Sequence, residues 1–130
     1  MKILSIGCGY VGSVISRHLS ERLPASLITI SDVNKQSIER VAPFTSRRSN
    51  VRFLQLNFFD HAELVKTARD YDIMIGLAPG RLGYETMKVA IEARVNMVDL
   101  SYMPEDPLAL DQYASEAGIT IVPDCGVAPG

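Results

Sequence analysis

With 130 residues, 13 Lys+Arg against 15 Asp+Glu and a formal net charge of −2, the sequence predicts one domain of ordinary charge, long enough to bury a core without covalent staples. That balance offers no basic face to nucleic acid or an anionic membrane, no apolar run is long enough to span a bilayer, and Met1-Lys2-Ile3 opens a strand rather than a signal peptide. Two cysteines, Cys8 and Cys125, make no disulfide framework and no metal-ligand spacing occurs, so the expected compartment is the cytoplasm and no metal is expected.

The chain opens on an apolar strand, Lys2–Ile6, that runs into Gly7-Cys8-Gly9-Tyr10-Val11-Gly12 and then into a helix over Tyr10–Arg22. The G-x-G-x-x-G spacing has a mechanical meaning. Its first glycine permits the tight turn off the strand, its second lets the backbone approach a pyrophosphate, and its third lets the helix pack against the sheet. An anion would then rest on the free N–H groups and positive dipole end of that helix. Val11, Val14, Ile15 and Leu19 share one helix face at i, i+3, i+4 and i+8, and Leu23-Pro24 closes the helix. Leu27–Ile30 is a second β-branched run ending in Ser31-Asp32, with a short helix over Asn34–Val41 behind it.

Asp32 stands 20 residues beyond Gly12, where a dinucleotide site places the carboxylate that bonds the adenosine ribose hydroxyls. A helix N-cap is the competing role for this residue. Val33 and Asn34 occupy the place where an arginine for an NADP 2′-phosphate usually stands, and Val33 is taken as part of the cofactor site. Arg47-Arg48, in a polar loop over Pro43–Asn50, reads as a solvated basic pair. Because the Asp32 carboxylate would repel a 2′-phosphate, NAD is expected in preference to NADP.

Val51–Leu56 is the third strand, and Asn57 at its exit could meet the adenine edge or serve only the turn. Asp60 caps a helix to about Arg69, with Glu63 in capping-box register. Asp72–Leu77 is nearly continuous in apolar residues, as a buried parallel strand should be, and exits into Ala78-Pro79-Gly80. Leu82–Ala93 is helical, Asn96–Leu100 is the fifth strand, and Ser101-Tyr102 leaves it. Asp106-Pro107 starts a helix that ends at Gly118, and Ile119–Pro123 is the sixth strand. Six strands alternating with five helices predict an α/β, Rossmann-type doubly wound parallel sheet in the order 3-2-1-4-5-6, with helices on both faces. No glycine falls between Gly12 and Gly76, and most of the nine sit at strand exits, on the edge where such sheets bind ligands.

Other candidate chemistry is weaker. Tyr84 and Lys88 form Y-x-x-x-K, which resembles the catalytic pair of short-chain dehydrogenases, but that family has another glycine spacing and its tyrosine follows the fifth strand. Cys8 lies near a helix N-terminus that would lower a thiol pKa. The preferred reading is a small side chain tucked against the sheet, and Cys125 is likewise read as packing. His18 and His61 are read as surface residues. No catalytic residue is assigned, because a nicotinamide carries its own chemistry and the protein positions it.

Three stretches, Gly7–Gly12, Asp99-Leu100-Ser101-Tyr102 and Gly126-Val127-Ala128-Pro129-Gly130, resemble the cofactor domain of the saccharopine dehydrogenase family. Ile75–Gly83 and Met97–Leu108 are most similar to its lysine dehydrogenase branch. The resemblance implies a nicotinamide cofactor lying over Gly7, Tyr10 and Val11, in addition to the motif's Gly9 and Gly12, with Asp32 on the ribose and the Ala78-Pro79 and Ser101 loops flanking the cofactor. It also implies an amino-acid substrate whose C–N bond is oxidised or formed reductively. A second domain beyond G-x-x-P-G would supply the substrate pocket and a dimer interface. On this reading residues 1–130 are the dinucleotide-binding domain alone, with Tyr102 and Asp124 the residues expected to face substrate. The alternative is a stand-alone NAD(H)-sensing regulatory module, against which the Ser-Tyr exit speaks.

Overall fold

Strand β1 (Lys2–Ile6) is the axis of the sheet, pairing in parallel with β2 (Leu27–Asp32) on one side and β4 (Ile73–Gly76) on the other. Beyond β2 lies β3 (Val51–Gln55), and beyond β4 lie β5 (Asn96–Asp99) and β6 (Ile121–Val122). The order is 3-2-1-4-5-6 with every pair parallel, as the strand–helix alternation predicts. Ile6 pairs with Ser31 and with Gly76, so the exits of β1, β2 and β4 open level on one edge. The computed structural model describes residues 1–45 and 48–126; Arg47 and the terminal stretch after Gly126 lie outside the described residues.

Side-chain alternation along β1 divides the core. Leu4 and Ile6 point into a cluster with Leu56, Leu64, Met74 and Met87, beneath α3 (His61–Ala68) and α4 (Gly83–Ala93). Ile3 points the other way, into a cluster with Ile28, Ile30, Ile38 and Val41, beneath α1 (Tyr10–Arg22) and α2 (Lys35–Thr45). Each such side chain contributes roughly 1.5–3 kcal/mol on leaving water, which ties both helical layers to the central strand. A last helix, α5 (Asp111–Ala117), lies beside α4.

Helix α1 departs from its expected orientation. Val11 is 61% and Val14 68% exposed, while Gly12, Ser16 and Ser20 are buried. Proximity is the reason. A Cβ on Gly12 would collide with the Gly7 carbonyl oxygen, and Ser16 Oγ lies 3.3 Å from Ser5 Oγ of β1. Only a small-residue stripe fits a helix this close to the sheet. Of the four apolar residues, Leu19 packs against the core cluster on this face.

Helix α2 also differs, running to Thr45 and holding Pro43 in its last turns, where the sequence predicts a loop from Pro43. Asn34, rather than Asp32, takes the cap role: its Oδ1 accepts from the Gln36 N–H at 2.9 Å. Arg48 pairs with Glu21 of α1 at 3.2 Å, as a solvent-facing basic residue should. Two short 3-10 turns, Gly80–Leu82 and Pro107–Leu110, lead into α4 and α5; the first occupies the predicted exit of the fourth strand up to Leu82, and the second stands where a continuous helix is predicted from Asp106-Pro107. The predicted caps are present nonetheless. Asp60 Oδ1 accepts from Glu63 N at 3.0 Å, Asp106 Oδ1 from Leu108 N at 2.9 Å, and Gly118 ends α5 at φ 71°.

Candidate functional site

The level exits of β1, β2 and β4 enclose a cleft of about 480 Å³, within the range of small-ligand sites. Its floor is the glycine turn. Gly7 adopts φ +103°, a conformation that disfavours any side chain, and its N–H donates to the Ser31 carbonyl at 2.9 Å. At Gly9 the space a Cβ would occupy has no atom within 4 Å, so the backbone there lies open to an approaching group. Gly9 is also the N-cap of α1 and supplies no side-chain cap, and the first turn carries no acidic residue. The first N–H groups of this 13-residue helix, ahead of the Ser13 N–H that donates to the Gly9 carbonyl, therefore face this opening without an internal partner, as an anion requires.

Asp32 stands at the adjoining exit, 9% exposed. Its Oδ2 accepts from the Cys8 N–H at 2.8 Å and its Oδ1 from the Asn34 N–H at 2.8 Å. These two bonds fix the carboxylate against the glycine turn. An ionised carboxylate has about four lone-pair sites, so accepting capacity remains for vicinal hydroxyls. With Asn34 capping α2, Asp32 is spared the competing role.

Of the eleven residues assigned to a cofactor from sequence, nine line this one cleft: Gly7, Gly9, Tyr10, Val11, Gly12, Asp32, Val33, Ala78 and Pro79. Asn57 and Ser101 do not. Asn57 Oδ1 accepts from the Phe59 N–H at 3.1 Å, a turn-forming bond, and this turn carries Phe59, 67% exposed, to the cleft wall. Ser101 is 5% exposed, and both its N–H and its hydroxyl donate to Asp99 Oδ2, so the hydroxyl turns inward beneath Gly83. Tyr102 is 74% exposed at the β5 exit, and Asp124, also exposed, follows β6 at φ 57°.

Phe58, Phe59, Leu77, Arg81 and Leu82 line the cleft without having been assigned from sequence. The available signals were an aromatic pair at a strand exit and one basic residue in the Pro-Gly-Arg stretch after β4. Cys8 is 2% exposed, and burial, with the neighbouring Asp32 charge, pushes its thiol up to about 12. It stays protonated and acts as the small packed side chain expected. Cys125, read from sequence as packing, is instead exposed, because β6 ends short of it at the sheet edge. Lys88 bonds Glu85 at 2.7 Å and lies 5.0 Å from the Tyr84 ring, outside the cleft, so Tyr84 and Lys88 form no catalytic pair there. His61 pairs with Glu92 of α4 at 2.8 Å on the surface. Among the described residues no group of three or more His, Cys, Asp or Glu could hold a metal, and no helix is long and apolar enough to cross a membrane.

A family model described as the saccharopine dehydrogenase NADP binding domain matches residues 3–122. Mouse mitochondrial alpha-aminoadipic semialdehyde synthase is 30% identical over 130 residues, 99% of this chain and 14% of that protein. A Pyricularia oryzae saccharopine dehydrogenase (NADP+, L-glutamate-forming) is 27% identical over 128 residues, covering 98% of this chain and 27% of its own length. The apo saccharopine dehydrogenase of Saccharomyces cerevisiae shares the fold at a TM-score of 0.80 and 23% identity, over 99% of this chain and 28% of that one. The chain thus spans a minor part of each relative. The family match runs from β1 into β6, across the whole sheet, and the chain belongs to the family of saccharopine dehydrogenase NADP-binding domains.

Proposed function

We propose that this chain is the cofactor-binding domain of an amino-acid oxidoreductase of the saccharopine or lysine dehydrogenase type. It holds NAD(H) for a hydride transfer completed by residues outside it. The observation that carries this reading is the open Gly9 backbone at an uncapped helix start, directly beside the buried, hydrogen-bonded Asp32. The pyrophosphate rests on the N–H groups at the start of α1, and the adenosine ribose hydroxyls bond Asp32. Phe59 offers its ring to the adenine, Val33 closes the ribose end, and Ala78-Pro79 walls the middle of the cleft. When bound, the nicotinamide supplies the hydride chemistry. The Ser101 exit shapes the far end through its backbone, and Tyr102 and Asp124 face the amino acid. A second domain supplies the remainder of that pocket and the contacts of a homodimer. Both cysteines are free thiols, which suits the reducing cytoplasm.

NAD is the preferred cofactor on electrostatic grounds. A 2′-phosphate would meet the Asp32 carboxylate directly, and Val33 at the next position has no charge to offset it. Calorimetric titration of the chain with NADH and NADPH is expected to show NADH binding about fivefold tighter or more, since a single unpaired like-charge contact costs on the order of 1–4 kcal/mol. Equal or tighter NADPH binding overturns the preference, and no binding of either at millimolar concentration overturns the proposal.

Phe59→Ala is expected to weaken NADH by about 1–3 kcal/mol, the usual contribution of stacking a base on an aromatic face. The side chain is largely exposed, so the unfolding midpoint should stay near that of the unsubstituted chain. Unchanged NADH affinity in this variant removes Phe59 from the adenine site.

A further inference from the structure

We propose that Arg81 is the residue that meets the charge of the cofactor's pyrophosphate, an assignment that rests on the dinucleotide reading above. The glycine turn offers only backbone: no Lys or Arg lies between Gly7 and Gly12. Among the described residues lining the cleft, Asp32 is the one anion and Arg81 the one cation. The helix start supplies about half a positive charge, less than a pyrophosphate dianion needs, and Asp32 works against it. Without a side-chain cation the loaded cleft would hold a strong excess of negative charge.

Arg81 is suited to that role by where it is mounted. It sits on the 3-10 turn Gly80–Leu82, closed by the Leu82 N–H donating to the Pro79 carbonyl at 2.8 Å. Gly80 packs so closely on the Tyr102 carbonyl that a Cβ there would overlap it, which seats the turn on the β5 exit loop. The guanidinium therefore springs from a fixed point on the β4 wall. Arg81 is exposed and makes no salt bridge among the described residues, so no internal partner competes for it. A planar guanidinium can donate two parallel hydrogen bonds to phosphate oxygens, a geometry that an ammonium cannot reproduce.

Titration of the chain with NADH, ADP-ribose and adenosine, followed in amide NMR spectra that also report the fold, tests the assignment. Arg81→Ala is expected to weaken NADH and ADP-ribose about tenfold or more, as loss of a charge-assisted hydrogen bond does, while adenosine binding is unchanged. Arg81→Lys should recover part of the loss, and the salt dependence of ADP-ribose binding should flatten in Arg81→Ala. ADP-ribose affinity unchanged in Arg81→Ala overturns the assignment and leaves the dinucleotide reading standing. Equal weakening of adenosine also overturns it, since the side chain would then act on the base or the fold. Failure of the unsubstituted chain to bind NADH, NADPH and ADP-ribose overturns both.

Discussion

Gly7→Ala is expected to abolish detectable NADH binding and to lower the unfolding free energy by about 2–4 kcal/mol, combining left-handed strain with overpacking. At φ +103° any Cβ is strained, and here it would stand 2.6 Å from the Leu77 carbonyl oxygen and 2.8 Å from its carbon. Those atoms are backbone and cannot swing away. The Leu77 N–H donates to the Ile6 carbonyl at 2.8 Å, and the Gly7 N–H to the Ser31 carbonyl at 2.9 Å, so relief means opening β1 from β4 or from β2 at the floor of the cleft. Either movement shifts the Ala78-Pro79 wall. Gly9→Ala is the informative companion, since its Cβ would meet no atom within 4 Å. That variant should fold with unchanged stability and still bind NADH more weakly, because the methyl group stands where the pyrophosphate approaches. Urea unfolding and NADH titration of both variants check the pair. A Gly7→Ala chain as stable as the unsubstituted one, with binding intact, would sink this account of the turn.

The contrast between these two glycines shows which parts of the site the sequence discloses. The turn and Asp32 are legible because chain geometry sets their spacing: a strand, a turn, a helix and a second strand consume a nearly fixed number of residues before the next exit. The sheet order follows in the same way from short, right-handed crossovers. The buried face of α1 is not legible from periodicity, because hydrophobic spacing marks the most apolar face whereas the close approach of helix to strand selects for size. Gly12, Ser16 and Ser20 win that contest over Val11 and Val14. Phe59 and Arg81 escape a reading by spacing because each hangs on a local turn, the Asn57 side-chain bond in one case and the Gly80–Leu82 turn in the other. Ser101 sits at the predicted exit, yet its hydroxyl faces inward. The acceptor that turns it, Asp99, is buried only because Gly76 and Gly83, distant in sequence, leave it and Ser101 the room.

Asp99→Ala is accordingly expected to cost about 2–4 kcal/mol of stability, the range for a buried cavity combined with orphaned hydrogen-bond donors. Asp99 is fully buried; its Oδ2 accepts both the N–H and the hydroxyl of Ser101, and its Oδ1 has no hydrogen-bond partner among the described residues. Removing the carboxylate leaves two Ser101 donors unpaired and an empty space against Gly76. Asp99→Asn keeps an acceptor for Ser101 and is expected to fold, with a pH dependence that separates charge from shape. Burial holds the Asp99 carboxyl above its ordinary value of 3.8, the Ser101 bonds pull it partly back, and the Asp124 charge adds to the rise. The native state thus binds this proton more tightly than the unfolded chain does. Stability from this group is full below the ordinary value, falls as pH rises through the interval up to the raised native value, and is level above it. Asp99→Asn lacks that loss, so the unsubstituted chain should lose ground to it on going from acid towards neutral pH, read from urea unfolding at several pH values. A pH-independent difference between the two would refute the buried ionisation. The same loop carries the Tyr102 carbonyl on which Gly80 and the Arg81 turn are seated. Asp99→Ala should therefore also weaken NADH, through a residue outside the cleft, while Asp99→Asn retains binding.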